Sequence, residues 1–297
     1  MFKKQLAKRE SVKLMVSIGG PSGSGKTLSA LKLAKGIAGD WRAVVLADTE
    51  NRSALYYAGE KTGEWEHVDF PSTIEGGYHP QNWIKLIDYV ESDTNAKVLV
   101  LDSLSHEWSG KGGCLELQAA LGGQFRDWAR VTPLHNQVLD KIRQSRLHII
   151  ATMRSKTEYV VEQSEKGKAT PKKVGMASVQ REGTEYEFGI SFDVEINHHA
   201  TASKDRTGIF AGRGPFMITE ATGEELLRWS ESGAKKEVPE EIYTSANPAH
   251  KKLLKEAAAK FNIEKVEELR ELSQEFDNKI PLPHMAPAIA KYIGAPL

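Results

Sequence analysis

Four nearly uninterrupted apolar runs mark the first half of the chain: Val12 to Ile18, "AVVLAD" from Ala43 to Asp48, "KVLVLD" from Lys97 to Asp102, and "LHIIATM" from Leu147 to Met153. None alternates apolar with polar residues, as a strand with one wet face would. Such runs predict strands covered on both sides, as in a parallel sheet. Between them the apolar spacing changes to that of a helix. Leu28, Leu31, Leu33, Ala34, Ile37 and Ala38 form one stripe that Gly39-Asp40 closes, "NWIKLIDYV" (Asn82 to Val90) forms a second, and Leu134 to Ser145 a third. Repeated strand-helix units imply right-handed crossovers and a mainly parallel central sheet flanked by helices, an α/β fold.

Beyond Arg154 the pattern breaks. "EYVVEQSEKGKATPKKVGMASVQREG" is polar and glycine-bearing, and a loop of that length inside a compact domain calls for a function. Strand-like pieces follow: "EFGISFDVEI", alternating at Phe188, Ile190, Phe192, Val194 and Ile196, then "TGIFAG" and "FMIT". "GEELLRWS" reads as a short helix. A linker-like stretch, "ESGAKKEVPEEIYTSANP", leads to helical patterns near His250 to Phe261, Val266 to Phe276 and Met285 to Tyr292. The expected organisation is a core over residues 1–230, a linker over 231–246 and a small helical module over 247–297.

Composition narrows the setting. A globule of 297 residues buries roughly 75% of its extended-chain surface, enough for one large domain and a small appendage. Forty Lys and Arg balance forty Asp and Glu, so any attraction to nucleic acid must come from a local patch. The single cysteine, Cys114, excludes an internal disulfide and a multi-cysteine zinc site and suits a reducing compartment. No apolar run approaches the ~18 residues of a membrane span, and "MFKKQLAKRE" lacks the apolar core of a secretory signal. The expectation is a cytoplasmic protein that does not engage a membrane.

Chemistry concentrates after the first strand, where four glycines fall within the seven residues 19–25. Gly20, Pro21, Ser22, Gly23, Ser24, Gly25, Lys26 and Thr27 fit the phosphate-loop pattern GxxxxGK[ST], with Leu28 next in the helix. Glycines let backbone N–H groups turn inward around phosphate oxygens. Lys26 reaches the β- and γ-phosphates, the Thr27 hydroxyl ligates Mg²⁺, and the helix N-terminus adds partial positive charge. Such a loop needs a second acid for Mg²⁺ at the end of an apolar strand, and Asp102 stands there. Asp48 and Glu50 lie just past the second strand, where a group orienting the attacking water belongs. Thr152 ends the fourth strand, placed to sense the γ-phosphate.

The segment from Arg154 to Arg181 holds seven cations, Arg154, Lys156, Lys166, Lys168, Lys172, Lys173 and Arg181, against Glu158, Glu162 and Glu165, a local excess of four. It suits a polyanion, although a solvated hairpin has the same composition. Trp108 and Trp128 bracket a glycine-rich stretch and serve either as core or as surfaces for stacked bases. His198 and His199, read as neighbours on one strand, point to opposite faces and do not share an ion.

Together the loop, Asp102, Glu50 and Thr152 resemble the RecA-type recombinase core, and in particular the phage-encoded ATPases with a minimal RecA core that act in single-strand annealing or recombination. The resemblance covers about Lys13 to Ser230. It implies a RecA-like fold, ATP and Mg²⁺ as cofactors, Glu50 of the D-x-E motif as activator of the hydrolytic water, and Tyr57, seven residues on, as the adenine-stacking ring. It also implies a DNA-contacting loop at Arg154 to Arg181, with Arg154, Lys156, Lys168, Lys172, Lys173 and Arg181 as contacts. Lys204 and Arg206 match a K-x-K pair that reaches the ATP of a neighbouring subunit. The second residue of that pair is arginine here, and no FxxA-type subunit-docking motif stands near the N-terminus.

The expected function is therefore ATP-dependent handling of single-stranded DNA by a homo-oligomer, ring or filament, with the C-terminal module open to a protein partner. Two alternatives stay open: a nucleotide switch acting on another protein, and a small-molecule P-loop kinase.

Overall fold

A strand buried on both faces must send successive side chains into two different cores, and this is what the apolar runs do. The computed structural model describes residues 6–59, 61–163, 169–234, 243–259, 263, 265–277, 279, 288–289 and 292, with the backbone alone described at 157–163, 169–177, 249 and 266. β1 (Met15–Gly20), β2 (Val44–Asp48), β3 (Glu66–Asp69), β4 (Val98–Asp102), β5 (His148–Gln163), β7 (Ile190–Val194) and β8 (Ala200–Asp205) form a sheet in the order β3-β2-β4-β5-β1-β7-β8, and β6 (Ala169–Ser178) pairs with β5 off this path. All neighbours are parallel except β7 with β8 and β5 with β6.

Val44, Leu46, Val98, Val100 and Ile150 face one core, which α1 (Lys26–Ala38) and α6 (Glu220–Glu231) close. Their chain neighbours Val45, Ala47, Leu99, Leu101, Ile149 and Ala151 face the other, which α2 (Pro80–Ser92) and α5 (Trp128–Gln144) close through Trp83, Ile87, Val138 and Ile142. Helices α1 and α6 meet backbone to backbone: a Cβ added to Gly36 would lie 1.9 Å from the carbonyl oxygen of Glu220 and 2.8 Å from Cα of Gly223. Two short helices, α3 (Ser105–Ser109) and α4 (Cys114–Ala120), follow β4.

The chain divides into two units, Met1–Lys235 and Lys236–Leu297. In the first, Glu10 bridges to Ala234, so the residues after α6 remain part of it. The second contains α7 (Pro248–Ala259) and α8 (Val266–Phe276), packed through Leu254, Ala258, Leu272 and Phe276. Tyr243, inside the stretch read as linker, is fully buried in that core and its hydroxyl lies 2.6 Å from Ser273 Oγ. The expected third tail helix, Met285 to Tyr292, falls largely outside the described residues.

Of the two readings of the polar segment after Arg154, loop and hairpin, the second matches: β5 runs on to Gln163 and pairs antiparallel with β6, from Ser155 opposite Ser178 to Gln163 opposite Ala169. Two sequence expectations differ from the structure. "TGIFAG" is a turn, because the Asp205 carboxylate accepts from the backbone N–H of Thr207 (2.7 Å) and of Phe210 (2.8 Å) and folds the chain around itself. "FMIT" contributes an isolated bridge, Phe216 to Ala200.

His148, at the start of β5, is 6% exposed and its Nδ1 accepts the backbone N–H of Leu14 at 3.1 Å. Burial, with Lys13 adding to it, depresses its pKa to about 3. The folded state therefore holds a neutral imidazole that the unfolded chain protonates near pH 6.5. That stability is complete above pH 6.5 and is lost as pH falls toward 3. Between pH 7 and pH 5 the loss amounts to about 2 kcal/mol from this one group. A His148→Asn variant, which keeps an acceptor for Leu14, is expected to lose about that much less in urea melts at the two pH values. Parallel pH slopes for variant and wild type would refute it.

Candidate active site

The phosphate loop closes on itself before any ligand is considered. Gly23 and Gly25 take φ of 79° and 88°, a left-handed region costly for residues with a Cβ, and the Lys26 ammonium reaches back to the carbonyl of Pro21 at 2.8 Å. A Cβ on Gly20 would fall 2.6 Å from both Ser24 Oγ and the carbonyl of Val194, so the loop has no room for another residue there.

Two observations show that these residues fit a bound triphosphate. Gly25 caps α1 without a side-chain hydrogen bond and the first turn contains no acid, which leaves the first N–H groups of the helix open to an anion. Ser24 Oγ is buried and has no hydrogen-bond partner. Burial, ahead of the opposing charge of Asp102, lowers the Lys26 pKa.

Asp102, 2% exposed at the end of β4, accepts a hydrogen bond from Thr27 Oγ1 at 2.7 Å and another from Thr152 Oγ1. The strand order explains the second bond, since β5 lies between β1 and β4 and carries Thr152 beside both. Burial raises the Asp102 pKa, and the bonds from Thr152 and Thr27 oppose the rise only in part. A divalent cation bound by Thr27 and Asp102 would supply the missing positive charge.

Glu50 is delivered by its neighbour. The carboxylate of Asp48 accepts the backbone N–H of Glu50 (2.7 Å) and of Ala54 (2.9 Å), which bends the chain after β2 and turns Glu50 back toward the loop. There Glu50 meets Arg154 in a two-pronged ion pair, Nε to Oε1 at 2.8 Å and NH2 to Oε2 at 2.6 Å. Burial works to raise the Glu50 pKa, but the Arg154 bonds and the charges of Arg154, His106 and Lys26 outweigh it and hold the carboxylate ionised. Arg154, read from the sequence as a DNA contact, thus lies on the candidate base. His106 completes the wall: it stacks on Tyr78 at 4.9 Å, and its Nδ1 lies 2.6 Å from Thr49 Oγ1. Burial, then Arg154, lower its pKa.

Other sequence candidates have surroundings of their own. Tyr57 is half-buried against the first core with the Lys61 ammonium 5.5 Å from its ring centre, while Tyr56 beside it is 85% exposed. Lys204 donates to the carbonyls of Glu185 (3.2 Å) and Tyr186 (2.6 Å) in its own chain, and Arg206, exposed, follows the end of β8. Lys156 is exposed and Arg181 half-buried. Lys166 and Lys168 lie outside the described residues, as do the side chains of Lys172 and Lys173.

Four side chains of the site escaped the sequence reading as such: Arg154 in its actual role, His106, Tyr78 and His198. Arg154 had a signal, for it stands two residues beyond Thr152 on one strand and so shares its face. His198 had none. It lies in the turn between β7 and β8 with φ 67°, not on a strand, and its Nδ1 is 2.9 Å from the carbonyl of Ser24, bracing the phosphate loop from outside.

No curated protein matches the chain. A family model described as "AAA domain" matches residues 12–223. That span runs from the entry into β1 to the first turn of α6 and takes in the phosphate loop, Glu50, Asp102 and Thr152, so the chain belongs to this AAA-domain family and is a P-loop ATPase.

Proposed function

We propose that the protein hydrolyses ATP in response to single-stranded DNA, as a strand-annealing or recombination ATPase of the phage type. The observation that carries this reading is the continuity of β5. One strand bears Thr152 on Asp102 and Arg154 on Glu50, then runs on, through a shift of register at Glu158/Tyr159, into the pair β5–β6, which together with its connecting residues and Arg181 holds the excess of cations. A ligand that moves the outer strands acts directly on the residue that clamps the base.

The chemistry follows from the residues in place. Lys26 and the open N–H groups of α1 bind the phosphates, and Mg²⁺ held through Thr27 and Asp102 would neutralise charge between them. Glu50, ionised and free of Arg154, accepts the proton of the attacking water. Paired with Arg154, it is a poor base, because two charge-assisted hydrogen bonds already occupy its oxygens. Release of Arg154 toward a phosphodiester would switch the base on.

A second feature points to the same ligand class. Phe125, 90% exposed, lines a cleft with Arg126, Trp128 and Arg181, and Trp128 stacks on Trp108 at 5.1 Å with their planes 11° apart. Exposed rings beside guanidinium groups suit unpaired bases and their phosphates. The nucleotide-switch reading has one observation in its favour, the Arg154 clamp, which would let ATP bind without turnover.

Steady-state hydrolysis measured with and without single-stranded DNA separates the two. DNA-stimulated turnover is expected, and its absence over a range of oligonucleotides, with ATP binding intact, would replace this reading with the switch. Glu50→Gln should retain ATP binding and lose at least ~100-fold in turnover, the scale of a lost general base. Arg154→Ala should raise the basal rate and flatten the response to DNA, whereas an unchanged basal rate would mean the clamp is not inhibitory. Replacing Lys172 and Lys173 by alanine should reduce the salt slope of DNA binding by about 0.7 for each phosphate that a lysine no longer neutralises.

A further inference from the structure

The three helices that follow β4 bring together three side chains that the ATPase site does not use. Glu107 on α3, Cys114 at the start of α4 and His135 on α5 are 1%, 0% and 2% exposed. Cys114 Sγ lies 3.1 Å from Glu107 Oε1, and His135 Nδ1 lies 3.1 and 3.0 Å from the two oxygens of the same carboxylate. One ligand atom from each side chain falls within 4.8 Å of the other two. We propose that Glu107, Cys114 and His135 form a buried zinc site with three protein ligands, distinct from the nucleotide site.

Charge is the first argument. A buried carboxylate costs several kcal/mol unless an opposite charge meets it. Among the described residues no Lys or Arg hydrogen-bonds to Glu107; its partners are a thiol, an imidazole and the amide of Gln180, Nε2 at 3.4 Å. A divalent cation resolves this, since a carboxylate, a thiolate and a neutral imidazole sum to minus two and cancel it. Without a cation the thiol stays protonated: burial and then the Glu107 charge push its pKa far above the usual thiol range. With zinc the order inverts, the Zn–S bond replacing S–H and the proton leaving to solvent, along with the imidazole proton where the ring is charged.

Geometry and ligand chemistry agree with that. Zinc takes S, N and O ligands at about 2.0–2.3 Å, which sets neighbouring ligand atoms of a tetrahedron about 3.3–3.5 Å apart. The Cys114–Glu107 and His135–Glu107 pairs at 3.1 and 3.0 Å need open by only a few tenths of an ångström, while the Cys114 and His135 ligand atoms, within 4.8 Å of each other, must close to the same spacing. A mixed thiolate, imidazole and carboxylate set suits zinc over Mg²⁺ or Ca²⁺, which prefer oxygen alone. The Gln180 amide borders the remaining side, and the Trp108 ring packs edge-on against His135 at 5.7 Å, closing it to bulk water. Such an ion would pin α3, α4 and α5 to one another directly behind the cleft lined by Phe125 and Trp128.

The test uses the full chain, purified without chelators or metal-affinity resin, exposed to excess zinc with Mg²⁺ present, and desalted. Elemental analysis should find about one zinc per chain, the stoichiometry of a single site, and Cys114→Ser and His135→Ala should lose it. Cobalt in place of zinc should give a thiolate-to-metal charge-transfer band in the near ultraviolet that Cys114→Ser lacks. Should both variants fail to fold, the wild-type metal content and cobalt spectrum still decide. Wild-type protein retaining less than about a tenth of an equivalent after zinc loading would overturn the site in favour of a purely hydrogen-bonded cluster. Zinc retained undiminished by folded Cys114→Ser, or cobalt bound without a thiolate band, would overturn it equally.

Discussion

The Asp102 carboxylate holds the ATPase core together. It ends β4, takes one hydrogen bond from Thr27 in the first turn of α1 and another from Thr152 on β5, and so ties the phosphate loop, the central strand and its neighbour to one point. An ion this deeply buried is costly unless its lone pairs are met, and burial still raises its pKa after both threonines have bonded to it. The site is therefore complete in shape yet short of positive charge. A divalent cation brought in with a nucleotide would supply what the fold leaves missing, and would couple ligand binding to the stability of the same three elements.

From that point the geometry radiates along β5. Side chains two apart on a strand share a face, so Thr152 and Arg154 look toward the same end of the sheet, one reaching Asp102 and the other Glu50. Glu50 in turn owes its position to Asp48, whose carboxylate is spent on backbone N–H groups and is not free for chemistry. Two acids two residues apart thus take different work: one shapes the turn and the other meets Arg154 near the phosphate-loop lysine. The bidentate Arg154 pair is half exposed, so its strength depends on salt and on whatever competes for the guanidinium.

The helices after β4 show a different economy. Gly112 and Gly113 let α4 begin against the backbone of α3 and of the segment near Gly76, and the close approach buries Glu107, Cys114 and His135. Polar side chains packed this tightly restrict the arrangement of the helices, because any other would lose the hydrogen bonds that Glu107 receives here. Behind them Trp108 and Trp128 stack on each other, so these rings belong partly to the core and partly to the cleft.

By itself the sequence determined the elements and the loop. Uninterrupted apolar runs dictated strands buried on both faces, glycine spacing dictated a phosphate loop, and an acid at the end of "KVLVLD" identified Asp102, all because these signals are local and repeat within a few residues. Only the tertiary structure decided partners. β3 was too short and too polar to read, since "EHVD" becomes a strand by pairing with β2. The segment after Arg154 became paired strands because its two halves bond backbone to backbone, Gln163 opposite Ala169 out to Ser155 opposite Ser178, which outweighs its polar composition. His198 reaches Ser24 across 174 residues of chain, and Arg154 reaches Glu50 across 104. No spacing rule encodes such distances: a strand order that sets β7 beside β1 and only β4 between β2 and β5 brings those residues together, and strand order is settled by the packing of the whole sheet.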